Sequence, residues 1–239
     1  MKRALKWFAA VLCALVLAAG VVFYSALAPN RPIEDGSEPA PGVRTVKNGF
    51  VSVFFLDAGA GKVGLVDAGN DKDGKAILAE LQRRGLDAAA IAGIFLTHGH
   101  RDHTAACRLF PGATVYALEA EVGVVGAACK VDHPLHDGEI VTINDLRVET
   151  LAAPGHTPGS AVYLSRGVLF FGDSAGGGKD GTLMRAVRLF SKDPAQNLAS
   201  LKALAARLEP RAGEINTLAF AHTGSLPGFG PLREFAASH

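Results

Sequence analysis

The chain has 239 residues, 49% apolar and 20% charged, which is too apolar for a disordered segment and long enough for one sizeable domain with an appendage. Lys and Arg number 24 against 23 Asp and Glu; Lys2, Arg3 and Lys6 precede residue 29 without an acid, so the remainder holds 24 − 3 = 21 bases against 23 acids. That balance argues against nucleic acid as a partner, and three cysteines exclude a disulfide-dense scaffold or a cysteine zinc cluster.

The first element is Trp7 to Ala28, 22 residues without a charge. At ~1.5 Å per residue a helix of this length crosses a hydrocarbon core of ~30 Å. Secretory signals have shorter apolar regions, of about 7–15 residues. Ala26-Leu27-Ala28 resembles a cleavage site, but Pro29 follows it directly, and a proline there makes a poor substrate for cleavage. Residues 1–28 therefore read as an uncleaved transmembrane anchor, with the membrane as a partner. Bases before the run and Glu34, Asp35 and Glu38 after it place the body outside the cytoplasm, periplasmic or extracellular, as a single-pass membrane protein. Residues 29–42 contain four prolines and read as a semi-stiff linker of at most about 45–50 Å. A single domain is expected over 43–239.

Within it, Phe50–Leu56 and Lys62–Asp67 flank Gly59-Ala60-Gly61 and predict a hairpin. Asp73–Arg84, with Ile77, Leu78 and Leu81 on one face and Gly85 after it, predicts a helix. Ile91–Thr97 predicts a buried strand. Further strands are expected at Ala113–Ala117, Glu139–Ile143, Leu146–Ala152, Ser160–Leu164, Val168–Gly172 and Thr217–Ala221, and a helix at Pro194–Leu208 with Leu198, Leu201, Leu204 and Leu208 on its buried face. Two runs of strands with helices between them suggest an α+β architecture of two sheets face to face, covered by helices.

The strand at Ile91 runs straight into Thr97-His98-Gly99-His100-Arg101-Asp102-His103. Residues i and i+2 of an extended chain point the same way, so His98 and His100 can share one ion, and Asp102 with His103 can face a second. Imidazole and carboxylate suit zinc, and also iron or manganese. His156 lies in the rigid turn Pro154-Gly155-His156-Thr157-Pro158-Gly159. Asp173 ends the apolar Phe170-Phe171-Gly172, and His222 follows Phe220-Ala221. Asp173 also has an ordinary reading as a helix cap, and His222 alone would decide nothing.

In this order and setting, His98, His100, Asp102, His103, His156, Asp173 and His222 resemble the metallo-β-lactamase-fold hydrolase superfamily, over about residues 43–225. Leu65-Val66-Asp67-Ala68-Gly69 resembles the family's early motif, and Asp137-Gly138-Glu139 is similar too. The resemblance implies a four-layer αβ/βα sandwich with two metals at one edge. One metal would sit on His98, His100 and His156 and the other on Asp102, His103 and His222, with Asp173 bridging and Asp67 supporting the metal loop. The ligand set is similar to glyoxalase II, whose helical C-terminal domain has no counterpart in the 239 − 222 = 17 residues after His222. Zinc β-lactamases carry cysteine or serine where Asp173 stands, and RNA-processing members add basic arms.

The expectation is a dinuclear metal-dependent hydrolase, most simply with zinc, in which a metal-bridging hydroxide attacks a small ester, thioester, lactone or phosphodiester, with Asp102 or the second metal helping the leaving group. The alternatives are a mononuclear iron oxidoreductase similar to persulfide dioxygenases, on His98, His156 and Asp173, and a β-lactamase-like amide hydrolase. A non-catalytic binding module would be expected to lack some of the seven ligands.

His133 and His136 read as surface loop residues, and His239 as a frayed end. Cys107 and Cys129 suit either a disulfide or two buried small apolar residues. Gly176–Asp193 mixes bases with apolar side chains. By the resemblance it lies beside the active site, where it suits an anionic or acyl substrate or the membrane, unless it is simply a solvated basic face.

Overall fold

The computed structural model describes residues 29–127 and 129–239 together with Trp7 and Leu12. The rest of the expected membrane anchor lies outside the described residues, among which no helix is long and apolar enough to cross a membrane. The chain divides into two units, Met1–Asn30 and Arg31–His239, and the second holds both large sheets.

The first sheet contains β1 (Val43–Asn48), β2 (Val51–Gly59), β3 (Lys62–Val66), β4 (Ile91–Phe95), β5 (Thr114–Leu118) and β6 (His133–Leu135), side by side in that order. β1, β2 and β3 are antiparallel neighbours, while β3 to β6 pair in parallel. The second sheet is built from β7 (Ile140–Ile143), β8 (Leu146–Ala152), β9 (Ala161–Ser165) and β10 (Val168–Phe170), joined after a separate hairpin of β11 (Ala175–Gly177) and β12 (Leu183–Arg185) by β13 (Thr217–Ala219) and β14 (Leu226–Pro227). Its order is β14-β13-β10-β9-β8-β7. The α-helices of the second unit are α1 (Lys75–Arg83), α2 (Arg101–Thr104), α3 (Val122–Val125), α4 (Pro194–Leu208) and α5 (Gly230–Ser238).

Three buried layers follow from the side chains. Phe54, Leu56, Phe95, Tyr163, Leu146, Val148 and Phe170 fill one core, where rings from the two sheets meet: Phe54 lies 5.0 Å from Phe170 and Phe95 5.6 Å from Tyr163, centroid to centroid. Phe55, Leu65 and Ile94 share a second core with Ile77 and Leu81 of α1. Leu151, Leu169 and Leu218 share a third with Leu201, Leu204 and Leu208 of α4 and with Leu232 and Phe235 of α5. Strands buried on both faces read as continuous apolar runs, as Phe54-Phe55-Leu56 does. The layering is therefore αβ/βα. α4 begins where its sequence predicts: Asp193 accepts hydrogen bonds from the Ala195 and Gln196 N–H groups (3.0 and 2.9 Å), and Pro194 occupies the first turn.

Two expectations need correcting. Residues 31–42 are no free tether but part of the body. The Arg31 N–H donates to Gly177 O (2.8 Å), the Gly224 N–H to Arg31 O (2.9 Å) and the Gly36 N–H to Thr45 O (2.9 Å), and Thr217 Oγ1 donates to Pro39 O (2.8 Å). All four involve the segment's own backbone N–H or C=O groups, which periodicity does not reveal, and they move the start of the body from Val43 to Arg31. His133, read as a loop residue, opens β6, a three-residue edge strand in which only Leu135 is buried.

Candidate metal centre

Every candidate ligand stands where a strand ends. His98 and His100 follow β4, Asp102 and His103 open α2, His156 lies in the β8–β9 turn, Asp173 follows β10 and His222 follows β13. The fold gathers all seven into two groups: His98, His100, His156 and Asp173, and Asp102, His103 and His222, with the ligand atoms of each group within 4.8 Å of one another.

In the first group His100 Nδ1 lies 3.0 Å from both His98 Nε2 and His156 Nε2. Asp173 Oδ2 is 4.0 Å from His98 Nε2 and 3.6 Å from His156 Nε2. In the second group His222 Nε2 is 3.3 Å from Asp102 Oδ2, and His103 Nε2 is 3.8 Å from the same oxygen. Asp173 turns its other oxygen here, with Oδ1 3.3 Å from His103 Nε2 and 3.1 Å from His222 Nε2. One carboxylate thus faces each group with a different oxygen.

These spacings bracket the ~3.3 Å edge of a tetrahedron with ~2.0–2.1 Å metal–nitrogen bonds. His103 Nε2 and Asp173 Oδ1 are buried without a hydrogen-bond partner. Two orphaned polar atoms aimed at one point are costly in a folded protein, and a cation there satisfies both. The residues fit divalent metal.

The outer nitrogens of four imidazoles are held by neighbours, which turns the inner ones toward the centre. His103 Nδ1 meets Asp67 Oδ2 at 2.8 Å, His222 Nδ1 donates to Phe50 O (3.1 Å), and His156 Nδ1 lies 3.4 Å from Ser191 Oγ. His98 Nδ1 is 3.1 Å from Thr97 Oγ1, whose hydroxyl donates to Asp67. Asp67 also accepts the Thr97 N–H (2.8 Å). It therefore touches His103 itself as well as the root of the His98 loop. Its backbone is left-handed (φ 63°), a conformation rare outside glycine and retained where neighbours enforce it. Asp67→Ala should lower metal retention roughly 10–100-fold, as loss of an outer hydrogen-bond partner does. Wild-type retention in a chelator competition would refute the role.

Burial pushes His98 well below the usual imidazole range, with His103 adding to it, and burial likewise carries His156 down to about 4. The second group behaves oppositely. Burial opposes charge on His103 and His222, but Asp173 and Asp67 raise the first well above its usual value, and Asp102 and Asp173 raise the second to about 9. Asp173 itself is held well below the carboxylate range because His103 and His222 outweigh its burial. Near neutral pH the metal-free second group thus carries protons where a cation would sit. Loading it must release them, so affinity there should rise with pH up to about 9, while His156 is contested only as pH falls toward about 4. Titration calorimetry in buffers of different protonation enthalpy measures this; a second equivalent that releases no protons at neutral pH would contradict it.

One residue of this centre is not apparent from the sequence. Glu121, fully buried beside α3, accepts the Gly99 N–H (2.7 Å) with Oε1 and the Gly159 N–H and Thr157 hydroxyl (2.8 and 2.9 Å) with Oε2. It ties the His98–His100 loop to the His156 turn. Gly159 is required there, since a Cβ would lie 2.3 Å from the Glu121 nitrogen. The only sequence signal is an acid between apolar Leu118 and Val122, two residues after Glu119, which is exposed.

Fold and centre together define a metal-binding αβ/βα sandwich with two adjoining ligand sets at one edge. The chain belongs to the metallo-beta-lactamase superfamily, whose family model matches residues 46–222. Among relatives, the hydroxyacylglutathione hydrolase of Dechloromonas aromatica is 37% identical over 145 residues, covering 59% of this chain and 48% of that protein. The one from Serratia proteamaculans is 35% identical, covering 53% and 49%. The chain thus spans about half the length of these relatives. A metallo-beta-lactamase family protein of Thermus thermophilus superposes with a TM-score of 0.62 at 24% identity, over 83% of this chain and 79% of that one. A subclass B3 metallo-beta-lactamase of Bradyrhizobium japonicum does so with 0.62 at 20%, over 89% and 93%. At such identities the structures share the fold.

Proposed function

We propose that the chain is a dinuclear metal-dependent hydrolase, with zinc the simplest occupant of its nitrogen and oxygen ligands, acting on a small ester, thioester, lactone or phosphodiester. The observation that carries this reading is Asp173, which offers one oxygen to each ligand group. Two divalent cations held there would supply a shared water of lowered pKa and a Lewis acid for the substrate's carbonyl or phosphoryl oxygen. The protein's own part is positional and electrostatic. Asp102 is half-exposed, and its carboxyl is lowered because His222 and His103 outweigh its burial. It stands ionised, ready to accept a proton and return it to a leaving group. Among the substrates, the relatives named hydroxyacylglutathione hydrolase favour the thioester. The test is turnover of a panel (hydroxyacyl thioester, aryl ester, lactone, phosphodiester, β-lactam) by zinc-, manganese- and iron-loaded protein, with metal analysis. Two metals per chain and metal-dependent hydrolysis are expected. One iron with oxygen uptake, or no turnover of any member, would overturn the proposal.

The same reading places the catalytic body outside the cytoplasm, tethered by the uncharged Trp7–Ala28 run. Support comes from the basic flank of that run and from the Cys107–Cys129 disulfide, a bond favoured in oxidising compartments. Fractionation with protease accessibility should find the body membrane-bound and digested from outside. A soluble form beginning at Pro29 would show cleavage instead, and a body protected from external protease would place it in the cytoplasm.

A further inference from the structure

Between β12 and α4 the chain makes an outward turn that contributes no metal ligand. Val187, Leu189 and Phe190 on it are 43%, 82% and 56% exposed, yet the turn carrying them is firmly made. The Phe190 N–H donates to Val187 O (3.0 Å), and Ser191 Oγ donates to the same carbonyl (2.9 Å). Its ends are pinned by the N–H of buried Ala186 on Asn197 Oδ1 (3.2 Å) and by the Lys192 N–H on His156 O (2.9 Å). Three large apolar side chains are thus held out by a built support, and such a cluster marks a contact surface.

Charge identifies what it contacts. Arg185, Arg188 and Lys192 are all exposed, and the acids that bound the stretch, Asp180 and Asp193, are turned to local donors, Thr182 and the first turn of α4. An apolar tip flanked by bases complements an anionic bilayer, where hydrocarbon takes the tip and headgroup phosphates take the bases.

Position points the same way. Lys192 sits on the backbone of His156, and Phe50, 61% exposed, stacks on the His222 ring at 5.7 Å, so apolar side chains flank the ligand cluster at both ends. Arg31 is bonded to Gly177 of β11 and to Gly224, two residues beyond His222. Only Pro29 and Asn30 separate it from the apolar run ending at Ala28, about 10 Å of fully extended chain.

We infer that the Val187–Phe190 turn is a membrane-contact element that sets the mouth of the metal centre against an anionic lipid surface. The inference rests on the membrane association proposed for residues 7–28. The chain's single tryptophan is Trp7, so the full-length Trp7→Phe, Leu189→Trp variant carries one reporter. It is reconstituted into liposomes of phosphatidylcholine with and without phosphatidylglycerol, some containing brominated lipid. The indole at position 189 should emit to the blue and be quenched by brominated lipid in the anionic liposomes. In a Trp7→Phe, Leu78→Trp variant it should not, since α1 leaves Leu78 41% exposed, apart from buried Ile77 and Leu81 with which its sequence grouped it. Adding R185Q, R188Q and K192Q should lower the docking equilibrium constant about fivefold for each base removed. A protein that sediments with liposomes while the indole at 189 stays unquenched overturns the inference and leaves the anchor standing; one that does not sediment overturns both. A blue shift without lipid that grows with protein concentration overturns it in favour of contact between copies of this chain.

Discussion

Asp173→Ser is expected to leave one tightly held metal per chain in place of two and to lower hydrolysis by about 10²–10⁴-fold, the several kcal/mol that a metal supplies to a transition state at 1.36 kcal/mol per decade. The expectation follows from reach. Asp173 Oδ2 lies 3.6 Å from His156 Nε2 while Oδ1 lies 3.1 Å from His222 Nε2, a span that one short hydroxyl cannot cover. His98, His100 and His156 would still form a three-nitrogen site with an open position. Asp102, His103 and His222 would lose the oxygen that draws charge to them, and His222 should fall from about 9 toward the ordinary imidazole range. Asp173 follows the end of β10 and, though only 15% exposed, faces the ligand groups rather than the three apolar cores, so the fold should survive. Metal stoichiometry, turnover and histidine titration by NMR check the three parts. Two firmly bound metals with near-normal turnover would remove the bridging role and the dinuclear proposal with it.

Glu121→Ala is expected to do its damage through geometry. It strands the Gly99 and Gly159 N–H groups, while the Thr157 hydroxyl keeps Ser160 Oγ at 2.7 Å. At about 1–3 kcal/mol for each unsatisfied buried donor, with partial relaxation, the loss should be about 2–5 kcal/mol, a large share of a typical stability of about 5–15 kcal/mol. The melting midpoint should fall by about 5–15 °C. Because the two tied loops carry His98, His100 and His156, metal retention should fall roughly 10–100-fold as well. Glu121→Gln keeps the volume but turns an amide N–H toward one of the donors, so it should lie between. Unchanged chelator resistance in the alanine variant would show that the loops hold their spacing without Glu121.

The contrast between these two residues shows what a sequence exposes. Asp173, like His98, His156 and His222, follows an apolar run that could only be a strand, and a ligand-type residue at a strand end stands out. α4 was legible down to its first residue because Asp193, Pro194 and the leucine spacing agree. Glu121 acts on partners 22 and 38 positions away, and nothing local separates it from its exposed neighbour Glu119. The hairpin of β11 and β12 pairs Ala175-Gly176-Gly177 with Leu183-Met184-Arg185, segments with no alternation to betray a strand. β6 contains a proline and buries one side chain. Residues 31–42 carry no periodicity because backbone bonds and scattered polar contacts, such as the Lys47 N–H on Asp35 Oδ1, fasten them in place of a regular apolar face.

Neither sheet owns a complete ligand group. His98, His100, Asp102 and His103 come from the loop and helix after β4 of the first sheet, whereas His156, Asp173 and His222 come from the second. Each group therefore exists only once the two halves of the sandwich have closed on each other, and the unfolded chain offers nothing comparable. Metal affinity and the cohesion of the halves are then one quantity read in two ways. A cation at about a thousand times its dissociation constant would add about 4 kcal/mol to that cohesion, so scarcity of metal would be felt first as a looser sandwich and only then as lost chemistry.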